Sequence, residues 1–93
     1  MRVTFDAEKR QRAIEQRGPD FERAVEVFDG LTLEVEDNRH DYGEKRILCV
    51  GFLDRRVVMV GYTPRGTARH IFSMRRRNEW EVRRYTPYFE QGE

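Results

Sequence analysis

The chain has 93 residues, enough for one small domain over 1–93. Hydrophobic and charged side chains each make up 38%, and no apolar run approaches the ~20 residues that span a bilayer. The formal net charge is only +1, which on its face argues against a polyanion partner.

Val3-Thr4-Phe5 reads as a possible short edge strand. Asp6 is an N-cap for a first helix over 7–17, and Gly18 ends it. The apolar face of this helix is thin: Ala7, Ala13 and Ile14. Pro19 opens a second helix, in which Phe21, Ala24, Val25 and Phe28 form a stripe at i, i+3, i+4, i+7. Leu31, Leu33 and Val35 alternate with polar residues, as in a half-buried strand. Residues 37–43 make a polar loop. A second strand runs from Lys45 to Leu53 and turns at Asp54-Arg55-Arg56. Val57 to Tyr62 is almost uniformly apolar and is expected at the centre of the sheet. Pro64-Arg65-Gly66 turns the chain into a last strand, Thr67 to Ser73. A helix then opens at Asn78, with Glu81 completing a capping box, and Pro87 stops it. The expected fold is α+β: two N-terminal helices, an antiparallel sheet of three to four strands with that possible edge strand, and a C-terminal helix.

The net charge conceals an asymmetry. Residues 1–44 carry seven basic and twelve acidic side chains, a net of −5, whereas residues 45–93 carry eleven and five, a net of +6. Sixteen of the bases are Arg and two are Lys. Arg grips phosphate with a planar fork and stacks on bases, so the basic half points to nucleic acid. The last strand feeds Arg75-Arg76-Arg77 directly into a helix start, where free N–H groups also favour an anion. Cys49, the lone cysteine, lies in an apolar run and reads as a buried structural thiol. One Cys and two His at unrelated spacing give no metal signature, and no cofactor motif is present. The N-terminus has no apolar stretch of the signal-peptide kind, so a cytoplasmic location is expected.

Taken in order, these residues resemble the BrnT family of type II toxins. The resemblance rests on Phe5-Asp6, Lys9, Gly18, Phe21, Ala24, Val27-Phe28, Glu36-Asp37-x-Arg39-His40 and Gly43-Glu44-x-Arg46. It continues with Tyr62-Thr63-x-Arg65-Gly66, Ile71-x-Ser73-x-Arg75-Arg76 and Arg84-Tyr85, covering about residues 3–86. It implies a RelE-like fold and a ribonuclease that cuts RNA without a metal and inhibits translation. It also implies a BrnA-like antitoxin with a ribbon-helix-helix part, which binds operator DNA and forms a heterotetramer with the toxin. The chain departs from the family pattern at Ala13, Gln16-Arg17, His70 and Arg77. The alternative reading is a non-catalytic module that binds nucleic acid or an acidic protein segment.

Metal-free RNA cleavage needs a base for the ribose 2′-OH, an acid for the leaving 5′-oxygen, and cations for the charge on the phosphorane. Arg75, Arg76 and Arg65 are the candidate cations, and His40 and Glu44 the candidate proton-transfer groups. Arg46, Arg69, His70 and Arg77 are candidates for RNA binding. Two-residue alternation sets Arg69, Ile71, Ser73 and Arg75 on one face and Ala68, His70, Phe72 and Met74 on the other. Phe72 and Met74 then point the His70 face at the core. His70 is in that case a structural residue or an acid–base group. His40 and Glu44 equally suit a solvated loop with Asp37–Arg39 and Glu44–Arg46 pairs.

Overall fold

The computed structural model describes residues 1–77. Strand β1 (Arg2–Phe5) leads into helix α1 (Ala7–Glu15), a 3-10 turn (Phe21–Arg23) and helix α2 (Ala24–Asp29). Strands β2 (Leu33–Glu36), β3 (Ile47–Leu53), β4 (Arg56–Arg65) and β5 (Ala68–Arg76) follow. They form one five-stranded sheet in the order β1-β5-β4-β3-β2. β2 to β5 pair antiparallel in sequence, and β1 joins the far edge parallel to β5. Three helices on an antiparallel sheet of three or four strands are therefore not what the described residues form. They hold two short α-helices and a mixed sheet of five strands. The expected C-terminal helix, with Trp80 and Tyr85, lies outside the described residues.

The reason is topological. The path from β1 to β2 carries α1 and α2 across one face of the sheet, from one edge to the other. The β2–β5 meander then brings the chain back until β5 meets β1. Thr4 and His70, hydrogen-bonded at 2.9 Å, are 66 residues apart. Local pattern carries no sign of a partner that distant.

Asp6 caps α1 by accepting from the Lys9 N–H, as its residue type predicts. The second helix is shorter than its stripe implies. Asp20 caps a 3-10 turn first, and that tighter winding rotates the phase, so Val27 rather than Val25 reaches the sheet. The main core lies between these helices and the sheet. Phe21, Ala24 and Val27 pack there on Cys49, Val58, Val60, Tyr62, Ile71 and Met74. Each large aliphatic side chain so buried stabilises by roughly 1.5–3 kcal/mol. α2 comes so close to β3 that a Cβ on Gly51 would stand 2.6 Å from Val27 Cγ1. A smaller apolar cluster, Val50, Val57 and Met59 with Leu33 and Leu48, lies on the opposite, far face of the sheet. At the β3–β4 hairpin Asp54 and Arg55 both take positive φ, as a two-residue I′ turn requires. Arg23 grips the Asp54 carboxylate with two nitrogens, at 2.6 and 2.8 Å, and holds that turn against the helices. No described helix is long and apolar enough to cross a membrane.

Candidate nucleic-acid site

The far face is organised by one irregularity. β4 and β5 pair in register from Arg65↔Ala68 to Tyr62↔Ile71, then slip so that Gly61 faces Ser73. Phe72 is the extra residue, a β-bulge. The bulge breaks the simple alternation expected from the sequence. Arg69, Ile71, Met74 and Arg76 turn toward the helices, while His70, Phe72, Ser73 and Arg75 turn to the far face. The His70 face is thus not the main-core face. Gly61 makes room for this: a Cβ there would stand 2.5 and 2.7 Å from two Phe72 ring carbons and 2.7 Å from Ser73 Oγ.

The Phe72 ring then serves as a floor. The Arg46 guanidinium lies 4.6 Å from its centroid and 4.2 Å from that of Tyr42. Two aromatic rings on one cation hold it in place, each contributing on the order of 0.5–1 kcal/mol at a partly wet site. Tyr42 is fixed in turn. Its hydroxyl donates to Asp37 Oδ2 at 3.2 Å, and both Asp37 oxygens accept from Arg39 at 2.9 Å. Arg39 holds the Asp37 carboxyl well below the usual carboxylate range, so it stays ionised. The Asp37 N–H donates to the Arg46 carbonyl and closes the base of this loop. Together they bound a cleft of about 310 Å³ whose walls carry Arg39, Arg46, Arg75 and Arg77, with Ser73 and Tyr42 between them.

Next along the same face lies a second group. His70 Nδ1 is engaged by the Thr4 hydroxyl, which leaves Nε2 for proton exchange. Burial, and then the Arg65 charge, lower the His70 pKa. Glu44 acts the other way, but the balance keeps the ring neutral at neutral pH. Glu44 sits between two cations, 3.8 Å from Arg46 Nε and 3.6 Å from Arg65 Nη2. Cross-strand from His70, Thr63 is 4% exposed, and its hydroxyl makes no hydrogen bond among the described residues.

The sequence-derived candidates therefore divide. Arg46, Arg75 and Arg77 meet at the cleft, and His70, Glu44 and Arg65 meet beside it. Arg76 lies apart from both groups, on the helix face, where its Nη1 donates to the Arg17 carbonyl at 2.8 Å. Arg69 also lies on the helix face. It stacks over Phe28 and Tyr62, at 4.5 and 4.8 Å, and lies 3.6 Å from Glu34. His40 is exposed in the loop, edge-on to Tyr42 at 5.6 Å. Tyr42, Phe72, Asp37, Thr4 and Thr63 were not among the sequence candidates. Only Gly61, alone in an apolar strand, signals a bulge or a close approach at that point. Among the described residues no three His, Cys, Asp or Glu side chains gather as a metal centre would need.

Comparison with known families adds one match. Residues 5–81 fit the family described as the ribonuclease toxin, BrnT, of type II toxin–antitoxin systems. A search of curated proteins found none that matches.

Proposed function

The chain belongs to the BrnT family, ribonuclease toxins of type II toxin–antitoxin systems, and we propose that it cleaves RNA on the far face of its sheet without a metal. The observation that carries this reading is the cleft of about 310 Å³ walled by four arginines, with neutral His70 beside it on the same face. RNA phosphates enter the cleft against Arg46 and Arg75, with Arg39 and Arg77 extending the track. His70 Nε2 takes the ribose 2′-OH proton as the 2′-oxygen attacks phosphorus. The bond from phosphorus to the 5′-oxygen breaks, and His40 delivers a proton to that oxygen. The products are a 2′,3′-cyclic phosphate and a 5′-hydroxyl. Arg46 and Arg65, both tied to Glu44, stabilise the charge that grows on the phosphorane. Held in place before reaction, such cations need no reorganisation at the moment of cleavage. In the cell this cutting of transcripts inhibits translation in the cytoplasm. A BrnA-like antitoxin neutralises the toxin and binds operator DNA through a ribbon-helix-helix part.

The test is direct. Purified chain is incubated with single-stranded RNA in excess EDTA, and product ends are read by mass spectrometry. Cyclic phosphate ends are expected, with the rate lowered on the order of 10²-fold in Arg46→Ala and in Arg75→Ala. Salt-dependent RNA binding with no cleavage, in EDTA or in magnesium, would replace this reading with a non-catalytic one.

A further inference from the structure

Helix α1 buries none of its nine side chains. It is held by Ala13, partly buried against the main core, by a mid-helix ion pair and by its C-terminal end. Arg10 forks onto Asp20 at 2.8 and 2.9 Å, the Gly18 N–H donates to the Ala13 carbonyl, and Arg76 donates to the Arg17 carbonyl. Two clefts, of about 270 and 290 Å³, separate the inner side of α1 from β5. The β5 edge below them is open among the described residues, because β1 pairs with β5 only as far as Ile71. The Arg77 N–H donates to the Val57 carbonyl on β4. By strand alternation Arg75 also faces β4, so the N–H and C=O groups of Met74 and Arg76 point away from it, toward α1.

We propose that an extended, acidic segment of the partner antitoxin adds as a strand to this β5 edge, under α1. The proposal rests on the reading of the chain as a toxin with a protein antitoxin. An unpaired strand edge offers donors and acceptors at the spacing of a polypeptide backbone, which RNA does not match. The clefts are floored by Ala13, Phe21, Phe72 and Met74, a surface for alternate side chains of an added strand. Their rims carry Lys9, Arg12, Arg17, Arg75 and Arg76 and no acidic residue among the described residues. That charge selects Asp and Glu. The far-face cleft differs, since Asp37 stands within it. Phe72, Ser73 and Arg75 line both clefts. A strand seated under α1 therefore occupies Arg75 from behind and withdraws it from RNA.

Amide hydrogen exchange on the chain, alone and with the purified antitoxin encoded beside it, tests this. The Met74 and Arg76 amides are expected to exchange freely in the free chain and at least tenfold more slowly in the complex. Arg76→Pro removes the outward N–H as well as the side chain, whereas Arg76→Ala removes only the side chain. The proline variant is expected to bind the antitoxin at least tenfold more weakly than the alanine variant. Equal affinity of the two, or no protection at Met74 and Arg76 in the complex, overturns the proposal. So does protection already present in the free chain, from its own residues 78–93, or protection given by a short single-stranded RNA and not by the antitoxin. If the proline variant does not fold, the exchange result on the unaltered chain decides. Cleavage of RNA by the free chain is scored separately, so failure of the ribonuclease reading is distinguishable from failure of the strand addition.

Discussion

Gly61→Ala is the most informative single change. The added methyl would stand 2.5–2.7 Å from Phe72 Cε1 and Cζ and from Ser73 Oγ. Carbon atoms attract at about 3.5–4.0 Å, so the ring has to move by about 1 Å or more. Phe72 is half-buried and has room to swing outward. The cost therefore falls at the low end of core overpacking, about 1–2 kcal/mol. For a domain of this size that lowers Tm by roughly 5–10 °C. The displaced ring takes the floor from under Arg46, and RNA cleavage should fall on the order of 10–100-fold from misplacement alone. Thermal melts and a single-turnover cleavage assay measure both effects. The decisive control is the same change in a Phe72→Ala background. With the ring gone, only the Ser73 hydroxyl still stands against the methyl, and a χ1 rotation can move it aside, so Gly61→Ala should cost at least about 0.5 kcal/mol less than in the parent, a coupling between the two sites. If the cost is unchanged there, or if Gly61→Ala alone leaves Tm and cleavage intact, the seat-and-floor reasoning is wrong.

Three further outcomes follow from the site and the core. His70 has a lowered pKa, so the unfolded chain binds the His70 proton first as pH falls. Stability should thus be full above pH ~6.5 and decline as pH drops through the folded pKa, and His70→Gln should flatten that slope in pH-dependent melts. The same group as base predicts an acid limb in kcat/KM below the ordinary histidine range, lost with the variant's activity. Cys49 is fully buried, and burial pushes its thiol up to about 12. It should resist thiol reagents at pH 8 in the folded chain and react at once in denaturant; rapid native labelling would contradict the burial. Arg76→Ala, which removes a contact to the Arg17 carbonyl on the helix face, should weaken the C-terminal end of α1 and leave RNA affinity within about twofold of the parent. A loss as large as that of Arg75→Ala would return Arg76 to the RNA site.

Much of the architecture was legible because it is local. Asp6 announces a helix start, and the Val57–Tyr62 run announces a central strand. Three things were not. The parallel partnership of β1 with β5 is a contact between chain ends, which no window of sequence contains. The 3-10 turn at Phe21–Arg23 shifts the helical phase by part of a turn, so the stripe named Val25 and missed Val27. The bulge at Phe72 reverses parity for every later residue of β5. It is the reason Arg75, and not its neighbour Arg76, reaches the far face. An apolar residue at 72 looked like core. The space for its ring comes from Gly61 one strand away, a glycine in an apolar strand that marks a close approach.

The pairing of β1 with β5 also bears on when the far face can assemble during synthesis. β5 supplies His70, Ser73 and Arg75, and it is the last described strand to leave the ribosome. His70 is oriented by Thr4, which has by then waited for nearly the whole chain to be made. Contacts of such sequence separation form late and slowly. A nascent chain, or one cut short before residue 68, carries the loop arginines but neither the imidazole nor the strand that seats it. Assembly of this face of the sheet thus waits until nearly the whole described chain has been made.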